Sequence, residues 1–182
     1  SEDQRILIKQ KLGIDCHVFP NAVSQKWLEH LSTVIKNNKR VGDKYIIYVS
    51  NFTKHKRHLD LINNNPLLDR YKFVFVGSAI DEGGLSIKNA IVNHPNVEIY
   101  ENILESKLRD LVNGSSFVVF PSHYEGYGMP ILESIALNKR VLISDKLTLK
   151  HFDDCALVRS ISFENNVSDE DIKWADSPVD YY

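Results

Sequence analysis

Short apolar runs recur along this chain, each followed by a polar turn and then by a stretch whose apolar residues return at helical spacing. Tyr45-Ile-Ile-Tyr-Val49 is β-branched and aromatic, and the segment from about Lys56 to Asn64 sets Leu59, Leu61 and Ile62 among charges. That pattern predicts strand, loop, helix. It repeats at Tyr71-Lys-Phe-Val-Phe-Val76, which ends in Gly77 and leads to an imperfect helical stripe of Leu85, Ile87, Ile91 and Val92. Val97-Glu-Ile-Tyr100 then precedes a helix carrying Leu104, Leu108, Leu111 and Val112, closed by Asn113-Gly114 in C-cap position. Phe117-Val-Val-Phe120 is nearly all apolar, as a strand covered on both faces should be. After a glycine-bearing loop come a helix over about Met129 to Leu137 and a last strong strand, Val141-Leu-Ile143. The first forty residues are less regular. They predict a helix near Glu2 to Leu12, a strand at His17 to Phe19, and a helix capped by Ser24 that presents Trp27, Leu28, Leu31 and Ile35. Beyond Ser162 the chain is acidic, with Val167, Ile172 and Trp174 its main apolar residues, and a short helix at most is expected.

Strands alternating with helices at this spacing imply βαβ crossovers, hence an α/β, Rossmann-like parallel sheet with helices on both faces. The expected division is a linker or interdomain segment over 1–16, one domain over 17–160 and an acidic tail over 161–182. In such a sheet ligands sit beyond the carboxyl ends of the strands, so chemistry is sought just after Val49, Val76, Tyr100 and Phe120.

Composition narrows the field. The chain has 182 residues, 43% hydrophobic and 25% charged, which suffices for a core without disulfide or metal staples and excludes disorder as the main state. A formal net charge of −2 gives no bulk reason to bind nucleic acid. Cys16 and Cys155 lie far apart, outside any metal or redox spacing, and are expected as small buried thiols in a reducing compartment. The N-terminal residues lack the apolar region of a signal peptide, and no run approaches the ~18 apolar residues of a membrane span. The expected location is therefore cytoplasmic, and the sequons at Asn51, Asn113 and Asn166 read as coincidence.

Two segments carry candidate chemistry. After Val49 comes Ser50-Asn-Phe-Thr-Lys-His-Lys-Arg-His58, with Lys54, Lys56 and Arg57 close together. At a strand end that opens a helix, these cations and the helix N-terminus would attract a phosphate; a solvated helix start is the plainer alternative. His55 and His58 lack a third metal ligand at recognisable spacing. The second segment is Pro121-Ser-His-Tyr-Glu-Gly-Tyr-Gly-Met-Pro-Ile-Leu-Glu133. Gly126 and Gly128 bracket Tyr127 just before a helix with Pro130 in its first turn, so amides up to Met129 could cradle an oxyanion. Glu125 and Glu133 suit hydroxyl groups better than phosphate, as a ribose or hexose would present. A capped helix with a surface glutamate is the competing account. The segment is neither a G-x-G-x-x-G dinucleotide fingerprint nor a P-loop, which sets aside a dehydrogenase.

Pro121-Ser122 with EGYGMPILE, in which seven residues separate Glu125 from Glu133, resembles the E-x7-E segment of retaining GT-B glycosyltransferases, in particular glycosyltransferase family 4. VSNFTKHKRHLDLI over 49–62 is similar to the family's strand, loop and helix in which an arginine and a lysine five positions on hold the donor diphosphate; Lys56 falls on the lysine, Asn51 where arginine is usual. FPNAV over 19–23 resembles the P-N-G-V segment leading into the donor domain. FVFVG over 73–77 and Glu101-Asn102-Ile103 resemble the strand ends that seat the nucleobase. The resemblance spans residues 17–150 and departs from the family again at Asn138-Lys-Arg140, where glycine and proline are common.

The resemblance implies half of a GT-B fold, the donor-binding domain, with an N-terminal acceptor domain of similar size expected beside it. It implies a nucleotide diphosphate sugar, UDP-, GDP- or ADP-linked, as donor of a hexose-type sugar, and no metal. Lys56 and the Gly126–Met129 amides would stabilise the leaving diphosphate. Glu133 would hold the ribose, Glu125 the transferred sugar, and Gly77 and Ile103 would border the base. The isolated domain would bind donor and transfer little or nothing, and the longer protein would work in the cytoplasm or at the cytoplasmic membrane face. The alternative from another class is a non-catalytic Rossmann-like binding or interaction module, favoured by Asn51.

Overall fold

The computed structural model describes residues 2–17, 21–34, 44–63, 66–164 and 167–179. Six strands, β1 (Tyr45–Val49), β2 (Lys72–Val76), β3 (Val97–Tyr100), β4 (Val118–Phe120), β5 (Val141–Ser144) and β6 (Val158–Ile161), form one sheet in the order β3-β2-β1-β4-β5-β6. Every pairing is parallel. The chain builds outward from β1 to β3, then returns to start β4 on the other side of β1. The direction of winding therefore reverses between β1 and β4, where their carboxyl ends splay and leave a crevice.

The helices are α1 (Glu2–Leu12), α2 (Gln25–Val34), α3 (His58–Ile62), α4 (Glu82–Ile91), α5 (Glu105–Gly114), α6 (Met129–Ala136) and α7 (Asp169–Asp176). α3 packs with α4, and α2 with α5 and α6, so both faces of the sheet are covered. This is why β4 and β5 are buried along their whole length. The core centres on Ile46, Ile47, Tyr48, Phe52, Phe73, Phe75, Phe117 and Phe120, all fully buried. Each such side chain contributes about 1.5–3 kcal/mol by leaving water.

The expected α/β sheet is present, with differences in detail. The helix expected over 56–64 is broken: a 3-10 turn over Lys54–Lys56 ends at Arg57 in left-handed conformation (φ 60°), and α3 starts at His58. α4 begins at Glu82, three residues before the expected Leu85, because Asp81 caps it by accepting from the Gly84 amide (2.6 Å) and the Gly83-Gly84 pair hides the start. Leu85 and Val92, read as part of its buried stripe, are exposed; Gly84 and Ile91 face inward. Cys16 and Cys155 are free but only half-buried.

β6 is absent from the sequence reading, since VRSI is a half-exposed edge strand with no apolar run. The segment read as an acidic tail carries α7, whose Ile172 and Ala175 join the core along with Val167. The guanidinium groups of Arg140 and Arg159 both lie over its Trp174 ring, at 4.9 and 4.5 Å from the centroid. Of the strand expected at His17 to Phe19, His17 is not in a strand and the other two residues lie outside the described residues, as do Pro20, Ile35 and the Asn166 sequon.

Candidate functional site

The loops that follow β1 and β4 meet at the crevice between those strands. Their backbones are joined where the His123 amide donates to the His55 carbonyl (3.0 Å). Their side chains meet just inside that bond. The Lys56 ammonium sits 2.5 Å from Glu125 Oε1, with the two side chains only 16% and 11% exposed. The Ser122 hydroxyl lies 2.9 Å from the same oxygen. Oε1 thus carries both bonds, and Oε2 has no hydrogen bond among the described residues. Taking two charges this far out of water is costly, and Coulomb attraction offsets it only with good geometry and an added donor, which Ser122 is placed to be.

Tyr48 lies beneath this pair, fully buried. Its hydroxyl is 3.0 Å from the Lys56 carbonyl and 2.7 Å from Ser122 Oγ. Burial pushes the phenol well above its ordinary value, so it stays protonated. The ring is held by Phe120 (5.2 Å, edge-on), Phe75 (6.4 Å) and His58 (4.8 Å). His58 is itself buried against Phe52, and neither ring nitrogen makes a standard hydrogen bond. Burial pushes it down to about 4, against an opposing pull from the Ser50 backbone and with a lesser push from the Lys56 charge, so it is neutral at physiological pH. His55 is exposed, with Nδ1 3.2 Å from the Thr53 hydroxyl, so the two histidines do not converge.

The three neighbouring cations divide. Only Lys56 faces Glu125. Arg57 is engaged by Asp60, Glu164 (3.2 Å) and His123. Lys54 turns to a cavity of about 920 Å³ with Arg57, Asp60, Asp81 and Ile87 among its walls. Asn51 does not point to the pair; its side-chain oxygen accepts from the Ser78 amide (3.2 Å) and ties the β1 and β2 loops together. Gly77, next to it, cannot carry a side chain, because a Cβ would strike the Ser50 carbonyl.

On the other side of the crevice the chain runs through Gly126, Tyr127 and Gly128 into α6. Gly128 is left-handed (φ 79°), and a Cβ there would crowd Leu149, Ile131 and Phe152 at 3.0–3.2 Å. Gly126 has no such need: a Cβ would meet nothing within 4 Å. No side chain caps α6; Pro130 has no N–H and the Ile131 amide donates to the Gly128 carbonyl (3.0 Å), so in the first turn it is the Met129 amide that stays open to an anion. Tyr127 stacks on His151 (4.6 Å), whose Nε2 lies 2.9 Å from the Tyr127 carbonyl. One turn into α6, Glu133 is half-buried and has no side-chain partner among the described residues. Burial first, and then the nearby Glu105 at the start of α5, push it up to about 7. Ile103, two residues before Glu105, is half-buried against the core.

The fold therefore brings Lys56 and Glu125 into contact and gathers Gly126, Tyr127, Gly128, Met129 and Glu133 at the start of α6. Asn51 and Gly77 stand apart, at the neighbouring strand ends. Sequence reasoning missed Tyr48 and the part played by Ser122. The available signal was a tyrosine set between Ile47 and Val49 in a strand expected at the centre of the sheet, whose hydroxyl must find a partner.

A family model described as glycosyl transferases group 1 matches residues 32–152. No curated protein matches the chain by sequence. Among solved structures, a glycosyltransferase from Rickettsia africae ESF-5 is similar with a TM-score of 0.68 and 19% identity, covering 89% of this chain and 48% of that one. A UDP-forming α,α-trehalose-phosphate synthase from Burkholderia xenovorans, in complex with glucose-6-phosphate, follows at 0.61 and 12%, covering 89% and 44%. A variant of S. aureus TarM, in complex with Fondaparinux, alpha-GlcNAc-glycerol and UDP, gives 0.60 and 17%, covering 97% and 34%. At these identities the likeness is one of fold. The chain spans less than half the length of each of these structures.

Proposed function

The chain belongs to the glycosyl transferases group 1 family, and from that membership we propose that it is the donor-binding part of a retaining, family 4 glycosyltransferase that moves a hexose-type sugar from a nucleotide diphosphate sugar to an acceptor. The observation that carries this reading is the Lys56–Glu125 pair at the β1/β4 crevice, next to the uncapped start of α6. Acceptor binding would fall to a further domain, and residues 17–160 on their own would hold donor but transfer little.

Transfer requires that negative charge growing on the departing phosphate be stabilised by groups already in place. Lys56 and the amides from Gly126 to Met129 are the donors suited to that task. Glu125, held through Oε1, has Oε2 left to accept hydroxyls of the transferred sugar and to face positive charge near its anomeric carbon. Glu133 has no side-chain partner among the described residues and would accept from ribose hydroxyls, with Ile103 and Gly77 at the base. Gly126 supports the reading because neither packing nor backbone demands a glycine there, while a ligand approaching the amides does. One observation favours the non-catalytic module instead: Asn51 replaces a fixed cation and is used up in a loop contact.

The two readings separate in a thermal-shift experiment with UDP, GDP, ADP and their sugars. A nucleotide held at ~100 times its dissociation constant adds about 2.7 kcal/mol of stability. The donor reading expects a clear rise for one base, abolished in Lys56→Ala. No rise with any nucleotide at millimolar concentration would leave the binding module as the better account.

A further inference from the structure

Three contacts link Tyr48, Ser122, Glu125 and Lys56: Tyr48 hydroxyl to Lys56 carbonyl (3.0 Å), Tyr48 hydroxyl to Ser122 hydroxyl (2.7 Å), and Ser122 hydroxyl to Glu125 Oε1 (2.9 Å). Only two protons are available to fill them, one on each hydroxyl, since a carbonyl and a carboxylate bring none. At any instant one contact goes without. Two arrangements avoid setting the hydroxyl oxygens against each other with no proton between them. In one, Tyr48 donates to Ser122 and Ser122 to Glu125. In the other, Ser122 donates to Tyr48 and Tyr48 to the Lys56 carbonyl.

Magnitude decides between them. A hydrogen bond to an ionised acceptor is roughly twice as strong as one between neutral groups, so the carboxylate takes the Ser122 proton. The Ser122 oxygen is then met by the Tyr48 proton across the shortest of the three gaps. The longest gap, to the Lys56 carbonyl, is the one left over. We infer that Tyr48 is a positioning residue for Glu125: its buried hydroxyl donates to Ser122, which donates to Oε1, and this relay fixes the carboxylate so that Oε2 faces the crevice. The inference deepens the donor-site reading and rests on it for the ligand concerned.

The relay matters most once a donor phosphate draws the Lys56 ammonium away. Glu125 then loses its counter-charge while 11% exposed, and the hydroxyl chain is what holds it. Hydrogen bonds in such a chain polarise one another, by ~10–30% per bond. Tyr48 is well suited to anchor it. Its phenol is kept protonated, and Phe120, Phe75 and a neutral His58 fix its ring, so the hydroxyl stays aimed at Ser122.

Proton NMR of the 182-residue chain with labelled tyrosine tests this without any ligand. The Tyr48 hydroxyl proton should exchange slowly, show a cross-peak to the Ser122 methylene, and move upfield both in Ser122→Ala and in Glu125→Gln, although Glu125 does not touch Tyr48. A proton that is unprotected, or unmoved in Glu125→Gln, overturns the relay. A second arm uses Tyr48→Phe, which keeps the packed ring. Affinity for the nucleotide sugar should fall about five-fold, as for one lost hydrogen bond, while the free nucleoside diphosphate binds as before. Equal loss for both ligands would mean a merely structural tyrosine. If no nucleotide binds even the unmodified chain, the donor reading falls, and the hydroxyl resonance still decides the relay.

Discussion

At the amino end of the sheet, α7 starts with the Ser168 hydroxyl accepting from the Asp171 amide, and its charges meet cations just ahead of strands: Lys44 before β1 reaches Asp176 (2.6 Å) and Arg70, two residues before β2, reaches Asp169 (2.6 Å). Arg140, before β5, bonds the Trp174 carbonyl and stacks on its ring. At the carboxyl end, α6 starts with no side-chain cap, and among the described residues Glu133 has no side-chain partner and Glu125 uses one oxygen of two. A capping side chain is worth ~1 kcal/mol, and a polar group buried without a partner costs ~1–3 kcal/mol. The carboxyl end thus forgoes the helix cap that α7 has and leaves Glu133 and Glu125 Oε2 to water, whereas at the amino end the charges are paired, Arg140 Nε being buried without a partner among the described residues. That difference is what a binding site looks like before its ligand arrives: donors and acceptors are held in place and left unpaired.

The sharpest way to break the comparison uses two glycines, both at the carboxyl end. Gly77→Ala drives a Cβ into the Ser50 carbonyl, which is backbone of the central strand's loop and cannot step aside. A loss of ~3–5 kcal/mol is expected, near the top of the range for single substitutions. Gly126→Ala meets open space and no left-handed backbone, so its cost should stay within ~0.5 kcal/mol, while nucleotide binding is lost. Urea unfolding midpoints check the first claim and titration with nucleotide the second. If Gly126→Ala unfolds as readily as Gly77→Ala, its glycine serves the fold and the open space has no bearing on a ligand.

The next effect is a pH dependence. Glu133 in the folded chain is pushed up to about 7 from an ordinary 4.5, chiefly by burial. Below pH 4.5 the carboxyl is protonated folded or unfolded and contributes nothing to the difference. As pH rises the unfolded chain ionises first, the folded chain binds the extra proton, and stability falls until about pH 7, beyond which the loss is complete. Because the group is partly exposed, solvent screening reduces that loss to on the order of 1–2 kcal/mol. Glu133→Gln should therefore match the unmodified chain near pH 4.5 and exceed it at pH 8, with weaker nucleotide binding. A pH-independent difference in denaturant midpoint would show that burial does not act on Glu133.

The parallel sheet and most elements were legible because buried strands such as Phe117–Phe120 and Val141–Ile143 are continuous apolar runs, and runs need no tertiary information to be seen. α4 was misjudged at its start because glycine is a poor helix former in isolation, whereas here Gly84 is needed for close approach to the Phe52 carbonyl. β6 escaped because an edge strand buries little. For the site, residue types and spacing pointed to Lys56, Glu125 and the glycines. They could not reveal that Asn51 is spent on Ser78, that Arg57 is spent on Asp60, Glu164 and His123, or that Tyr48 reaches Ser122. Those contacts join residues up to 107 positions apart, and side-chain pairing at that range is decided by the fold rather than by local pattern.

The smallest effect belongs to the amino end. Arg70 and Asp169 make a 2.6 Å ion pair, yet their side chains are 46% and 71% exposed, so water already satisfies both charges and salt screens what attraction is left. Arg70→Ala should cost no more than ~0.5 kcal/mol and leave every nucleotide response unchanged. The Lys56–Glu125 pair is no shorter by more than a tenth of an ångström, but at 16% and 11% exposure Lys56→Ala strands a carboxylate that water reaches poorly. Contact distance is therefore nearly the same in the two pairs, and burial is what separates them. Measuring both variants by urea unfolding in low and in high salt isolates that variable: the Arg70 difference should vanish in high salt, and the Lys56 difference should persist. Equal, salt-sensitive losses would place Lys56 and Glu125 among ordinary surface charges and remove the contrast between the two ends of the sheet.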